Sequence, residues 1–193
     1  KLKKLAIITT HPIQYQTPLF KKLAKKLPNL KVFFASRHGL SSKYIDPEFK
    51  KNIKWDIGSR MLDGYKSEFS KNQNKNINQF SLNFLNLEKK LIKGNFDHIL
   101  VLGWNNLFYI NAILYALKHK IKLILRVETN LLLKINPIKR LIKTIILKNL
   151  FKKINYFLAI GILNKNFLLN HNVPKKKIYP GPYFVDNNFF SKK

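Results

Sequence analysis

Several loops of this sequence contain side chains that could bind a polar molecule or move a proton on it. The first such loop follows the apolar run 5–10 and contains His11, Gln14, Tyr15 and Gln16. An imidazole titrates near neutral pH, and amides and phenols both donate and accept hydrogen bonds. The loop is therefore a candidate ligand site. The alternative is that its polar groups only satisfy the local backbone.

Further candidates follow later apolar runs in the chain. They are Trp104 and Asn105, the segment 36–38, and Glu128 with the residues after it. An aromatic ring beside amides and a carboxylate suits a sugar, whose C–H faces stack on the ring while its hydroxyls pair with polar groups. The composition of these loops favours a site for a polar small molecule, against the alternative of unrelated loop residues.

Glu128 is a separate candidate because it is the only acidic residue between Asp97 and Asp186. A carboxylate after a buried strand could orient or deprotonate a hydroxyl group. The structural alternative is that Glu128 pairs with a nearby cation such as Arg126.

Regular alternation of apolar runs and helical periodicity predicts the scaffold that positions these loops. We expect strands at 5–10, 31–35, 53–57, 65–69, 97–102, 122–127, 156–160 and 178–179. Between them we expect helices at 18–27, 85–93, 106–118, 137–149 and 165–170. This order predicts an α/β fold, a doubly wound and mostly parallel Rossmann-like sheet with helices on both faces. The polar loops would then lie along the carboxyl edge of the sheet, where ligands bind in such folds.

Local signals predict the ends of three helices. Thr17 followed by Pro18 is typical of an N-cap with proline at the first helical position. Asn105 or Asn106 can cap the helix that follows, and Gly94 is expected to close the helix before it.

The segment 137–153 combines apolar residues with many lysines. At 138, 141, 142, 145, 146 and 150 the residues are isoleucine or leucine, and the basic residues are Lys139, Arg140, Lys143, Lys148, Lys152 and Lys153. We expect a helix that packs its apolar side on the sheet and leaves its lysines in water. The alternative is a helix that lies on anionic lipid.

The charge of the chain is strongly positive, with 37 Lys and Arg against 9 Asp and Glu and a formal net charge of +28. Such a charge suggests nucleic acid or an anionic membrane as a partner. The basic residues are spread through almost every segment, and arginine occurs only at Arg37, Arg60, Arg126 and Arg140. This pattern argues against a specific nucleic-acid partner.

Other function classes lack their sequence signals. There is no cysteine, and His11, His38, His98, His119 and His171 show no paired ligand spacing, so no metal is expected. No glycine lies between Lys1 and His38, which excludes a glycine-rich dinucleotide turn there, and there is no nucleophile-elbow motif. No uncharged apolar run reaches the roughly 18 residues of a membrane span, and no signal-peptide core is present. We expect a cytoplasmic protein, with peripheral contact at the inner face of the plasma membrane left open.

An ordered set of short sequence segments resembles the amino-terminal half of a GT-B glycosyltransferase of the large retaining family four. The segments extend over nearly the whole chain, at 11–20, 44–49, 54–57, 62–65, 103–105, 126–129 and 182–189. The first segment replaces the family's usual Gly-Gly loop with His-Pro-Ile-Gln-Tyr-Gln. The last segment resembles the hinge into a second Rossmann domain and contains Asp186 and Asn187.

The resemblance implies an acceptor-binding domain at 1–180 and the start of an interdomain hinge at 181–193, with the donor-binding domain absent. It implies transfer of a sugar from a nucleotide-sugar co-substrate to a glycan or glycolipid, with retention of configuration and without a metal. His11, Gln14, Tyr15 and Gln16 would face donor and acceptor, and Trp104, Asn105 and Glu128 would contact the acceptor. The catalytic residues stay unassigned, and we expect no activity from this chain alone. The alternative function is a stand-alone basic α/β module that binds an anionic membrane surface or nucleic acid.

Overall fold

The fold is built on one parallel β-sheet, and the chain winds toward both of its edges from the middle. The computed structural model describes residues 3–38, 40, 58–70, 86–132, 136–187 and 191. Within these residues, seven strands pair in the order β3-β2-β1-β4-β5-β6-β7, all parallel. They are β1 (Leu5–Thr9), β2 (Leu30–Phe34), β3 (Lys66–Phe69), β4 (His98–Val101), β5 (Lys122–Val127), β6 (Tyr156–Ala159) and β7 (Ile178–Pro180).

Five α-helices connect the described strands. They are α1 (Thr17–Lys26), α2 (Leu87–Gly94), α3 (Leu107–Lys118), α4 (Pro137–Lys153) and α5 (Ile162–Asn170). Short 3₁₀ turns lie at Gly58–Leu62 and Lys175–Lys177. The expected fold class, a doubly wound α/β sheet of Rossmann type, is confirmed.

Alternate residues of β1 enter two separate hydrophobic cores, because successive side chains of a strand point to opposite faces. Ile7 belongs to a core with Phe20 of α1, and Ile8 belongs to a larger core with Phe108 of α3 and Phe151 of α4. Ile7 and Ile8 are both fully buried. Burial on both faces explains why the strand is a continuous apolar run.

Two of the predicted helix ends differ from the structure. Gln16 is the N-cap of α1 and makes no side-chain cap bond, so Thr17 is already helical and Pro18 follows it. Gly94 is the last residue of α2, and the left-handed residue after it is Asn95, at φ 47°. The prediction for α3 is confirmed at Asn106, whose Oδ1 accepts the backbone N–H of Tyr109 at 3.0 Å.

The expected packing of α4 is wrong. Its isoleucines and leucine at 138, 141, 142, 145 and 146 are exposed, and the buried side chains of the helix are those of Leu147 and Phe151. The predicted strand at 53–57, the first residue of the predicted helix at 85 and the aromatic residues Phe189 and Phe190 lie outside the described residues.

Among the described helices, none is long and apolar enough to cross a membrane.

Gly94 is predicted to be required for packing and not for a special backbone angle. A Cβ at this position would lie 2.0 Å from the ring of Phe96, a buried side chain that packs edge-on against Phe33. Gly94→Ala should therefore lower the free energy of unfolding by about 1–3 kcal/mol, measured by urea denaturation.

Gly161→Ala is the matched control, because a Cβ there would meet no atom within 4 Å. We expect its stability to stay within about 1 kcal/mol of the parent. Equal effects of the two alanines would contradict the packing argument.

Candidate functional site

The loops after β1 and β4 meet at the point where the sheet reverses its winding direction. β1 and β4 are adjacent and parallel, but the chain leaves them toward opposite edges of the sheet. A crevice is expected at such a switch point. A cavity of about 570 Å³ lies there, lined by residues of the β1, β4 and β5 loops and by Lys143 of α4.

The first loop is fixed to its neighbours through Thr10. The backbone N–H of Thr10 donates to the hydroxyl of Tyr109 at 3.2 Å, and the carbonyl of Thr10 accepts the N–H of Ser36 at 2.8 Å. Tyr109 is buried, and Gly103 leaves room for its ring, since a Cβ on Gly103 would lie 2.4 Å from that ring. The three loops after β1, β2 and β4 are thereby joined.

His11 enters the cavity as a neutral imidazole. Its ring lies edge-on to that of His38, with 5.0 Å between centroids, and its Nδ1 is 3.0 Å from the Thr10 hydroxyl. Burial, and secondly the charge of His38, lowers the pKa of His11 to about 4. A neutral ring keeps both a donor and an acceptor nitrogen at physiological pH.

Trp104 forms an aromatic wall of the cavity, and its orientation is set by hydrogen bonding. The indole N–H donates to the hydroxyl of Thr129 at 3.2 Å, and the ammonium of Lys143 lies 5.0 Å from the ring centroid. Thr129 is held in turn by the side-chain amide of Asn164, which donates to its carbonyl at 2.8 Å. The loop after β5 and helices α4 and α5 therefore all help to position the ring.

Glu128 lies at the rim and interacts with a tyrosine. No described Lys or Arg lies within 4.0 Å of its carboxylate, so the alternative of a structural ion pair with Arg126 is not what the structure has. Burial and the hydrogen bond to Glu128 raise the pKa of Tyr183. Tyr183 also packs edge-on to Tyr15, at 5.3 Å between centroids.

Near these tyrosines lie buried polar side-chain atoms that have no hydrogen-bond partner among the described residues. The guanidinium of Arg126 is 4.8 Å from the centroid of the Tyr183 ring, and its Nε and one Nη have no hydrogen-bond partner among the described residues. The same holds for the Oε1 atoms of Gln14 and Gln16. An unpaired buried polar group costs stability, and such groups concentrate at sites that bind ligands.

Six of the residues predicted from the sequence line this one cavity. They are His11, Tyr15, Gln16, Trp104, Asn105 and Glu128. Gln14 is buried and does not line it. Asp186 lines a second cavity of about 330 Å³ beside α1, and Asn187 is exposed. That 181–193 begins a hinge, and that any of these residues binds a ligand, stay predictions.

Three residues near this cavity, Lys143, Arg126 and Tyr183, were not among the candidate site residues, whereas Thr129 belonged to the candidate loop after β5. Thr129 and Lys143 line it, and Arg126 and Tyr183 lie beside Glu128 and Tyr15. Arg126 carried a signal, because it is a charged residue between the apolar run Leu123 to Leu125 and Val127 of β5. Nothing near Tyr183 in the sequence indicates that it folds back on that strand.

The described residues contain no group of three His, Asp or Glu side chains that could hold a metal ion.

Comparison with solved structures shows that other proteins share this fold. A protein from Listeria monocytogenes, provisionally assigned as a UDP-N-acetylglucosamine 2-epimerase, matches with a TM-score of 0.59 and 15% identity over 93% of this chain and 44% of that chain. The UDP-GlcNAc 2-epimerase of Neisseria meningitidis, bound to UDP-GlcNAc, matches with a TM-score of 0.58 and 19% identity over 92% and 45%. Anabaena HepE, in complex with UDP and glucose, matches with a TM-score of 0.56 and 12% identity over 97% and 46%.

The chain thus spans less than half the length of these three proteins, and the matches show a shared GT-B-like Rossmann fold. No protein-family model matches this sequence, and neither does any curated protein.

The neutral His11 predicts a loss of stability in acid. The imidazole titrates near pH 6.5 when unfolded and near 4 when folded, so the unfolded state binds more protons between these values. The contribution of His11 to the free energy of unfolding is fully present above pH 6.5 and is lost as the pH falls. The loss is about 3 kcal/mol at pH 4.

The measurement is urea denaturation of the parent and of His11→Asn at pH 7 and pH 4. The variant should lose about 3 kcal/mol less than the parent over this range. Between pH 7 and pH 8.5 the two proteins should show equal changes, since the imidazole is neutral in both states. An unchanged acid sensitivity in the variant would show that folding does not lower the pKa of His11.

Proposed function

We propose that the chain is the acceptor-binding half of a glycosyltransferase. The whole enzyme would transfer a sugar from a nucleotide-sugar donor to a glycan or glycolipid acceptor, with retention of configuration and without a metal. The observation that carries the proposal is the cavity at the switch point, where Trp104, Asn105 and Glu128 meet the loop of His11, Tyr15 and Gln16.

The neighbours in fold support a nucleotide-sugar donor. One is bound to UDP-GlcNAc and another to UDP and glucose, and this chain covers about half of each. The donor would lie between this domain and a second one. The polar groups at the carboxyl edge of the sheet would then form one wall of the cleft in which the two substrates meet.

The acceptor would lie on the Trp104 side of the cavity. The fixed indole offers a flat apolar surface for the C–H face of a sugar ring, and the exposed Asn105 amide can donate and accept hydrogen bonds to its hydroxyls. Glu128, which has no cationic partner among the described residues, can accept a hydrogen bond from the attacking hydroxyl and orient it.

The loop after β1 would lie between donor and acceptor. Neutral His11 can donate to a phosphate or carbonyl oxygen or accept from a hydroxyl, and the bonds of Thr10 hold its backbone in place. Tyr15, which lines the cavity, packs edge-on against Tyr183, and the Tyr183 ring in turn contacts the guanidinium of Arg126, so these contacts hold Tyr15 in place.

The test uses the polypeptide encoded by the whole reading frame, with UDP-sugars and a panel of glycan and glycolipid acceptors. We expect nucleotide release that requires an acceptor. Glu128→Gln should lower kcat/KM by at least about tenfold, because the amide no longer offers a charged acceptor to the hydroxyl. Trp104→Leu should raise KM for the acceptor.

Glu88→Gln is the matched control, since this exposed carboxylate of α2 pairs with Lys118 at the end of α3 and does not line the cavity. It should leave kcat/KM unchanged. Conversion of UDP-GlcNAc without any acceptor would contradict transfer and point to epimerisation. Salt-sensitive nucleic-acid binding without turnover would favour the basic binding module.

A further inference from the structure

Helix α4 presents an apolar stripe to the outside of the molecule. Ile138, Leu141, Ile142, Ile145 and Ile146 are spaced i, i+3, i+4, i+7, i+8, which places them on one helix face. Each is 53–70% exposed, whereas Leu147 and Phe151 on the opposite face are 1% exposed. The outward face of a helix that packs on a sheet normally carries polar residues, so this stripe needs a partner.

Lysines border the stripe. At 100° per residue, Lys139 and Lys143 lie along one side of it and Lys148 along the other, while Lys152 and Lys153 continue it at the end of the helix. The sequence contains no acidic residue from 129 to 185. The surface therefore combines exposed aliphatic side chains with an uncompensated positive charge.

These two properties together favour a lipid surface over a protein partner. Lysine is depleted in the cores of protein interfaces, because burying its ammonium without a counter-charge is costly. In a bilayer interface, isoleucines enter the acyl boundary while flanking lysines extend to the anionic headgroups. We propose that the outward face of α4 binds the surface of an anionic membrane.

A groove beside the stripe supports the same partner. It has a volume of about 270 Å³, lies between the Trp104 loop and α4, and is lined by Trp104, Lys139, Ile142, Lys143, Ile146 and Leu147. Its walls are apolar and its rim carries two ammonium groups, which suits a molecule with an acyl chain next to a phosphate. Trp104 and Lys143 also line the polar cavity, so the membrane-facing surface adjoins the candidate site.

The proposal does not depend on sugar transfer, so a binding measurement tests it separately. The polypeptide encoded by the whole reading frame is sedimented with vesicles of phosphatidylcholine alone or of phosphatidylcholine with phosphatidylglycerol. We expect binding to the anionic vesicles at least about tenfold tighter than to the neutral ones, and weaker binding at high salt.

Two double variants separate the apolar and the charged contributions. Ile142→Ser with Ile145→Ser should weaken binding to anionic vesicles by at least about tenfold. Lys139→Gln with Lys148→Gln should also weaken it by about tenfold, and only on anionic vesicles. Circular dichroism of each variant checks that the fold is kept.

The matched controls make the same changes elsewhere. Ile110→Ser with Leu114→Ser alters exposed residues of α3, and Lys25→Gln with Lys26→Gln alters exposed lysines of α1. These proteins should bind vesicles like the parent. If variants and controls lose vesicle binding equally, binding depends on overall charge or hydrophobicity and not on α4, and the proposal is overturned.

Two further outcomes would also overturn it. If the parent is an oligomer that the isoleucine variant dissociates, with no vesicle binding by either, the stripe contacts a second copy. If hydrogen exchange shows α4 protected in the absence of lipid and the vesicles stay free of protein, another part of the polypeptide covers the stripe.

Discussion

The parallel pairing of β1 with β2 on one side and β4 on the other is the constraint from which the site follows. Parallel strands place all their carboxyl ends at one edge, and the chain must cross over by helices to return to the other edge. The chain winds from β1 toward β2 on one side and from β4 toward β5 on the other. The loops after β1 and β4 therefore diverge and leave a crevice between them. Residues far apart in sequence, such as His11 and Trp104, line one cavity for this reason.

Two carboxylates outside the candidate site differ from Glu128 in their partners. Glu68 on β3 binds Lys31 at 2.5 Å and Lys90 at 2.6 Å, and Glu88 binds Lys118, so these carboxylates connect structural elements. Glu128 has no such cation, and the buried Arg126 leaves two nitrogens unpaired. A site with a carboxylate that lacks a cationic partner and a buried guanidinium with unpaired nitrogens loses stability and keeps its binding capacity for a polar ligand.

The sequence predicted the sheet and the site loops well because both depend on short-range patterns. An apolar run such as Leu5 to Ile8 of β1 is typical of a strand buried on both faces, and its carboxyl end places the next loop. The orientation of α4 could not be predicted, because periodicity gives two faces and not which of them meets the sheet. With apolar residues on both sides, the burial of Leu147 and Phe151 depends on the tertiary structure. The same holds for Tyr183, which follows Arg126 in the sequence only after α4, β6, α5 and β7.

The central position of β1 has a consequence for how the protein forms during synthesis. Leu5 to Ile8 are synthesised well before their partners on β4, from His98 to Val101, which follow only after β2 and β3 have been made. Until then one edge of this apolar run has no neighbour, and contacts so distant in sequence form slowly. The nascent chain would therefore depend on β2 and α1 to shield β1, and a chaperone that recognises short apolar segments would find a target in β1.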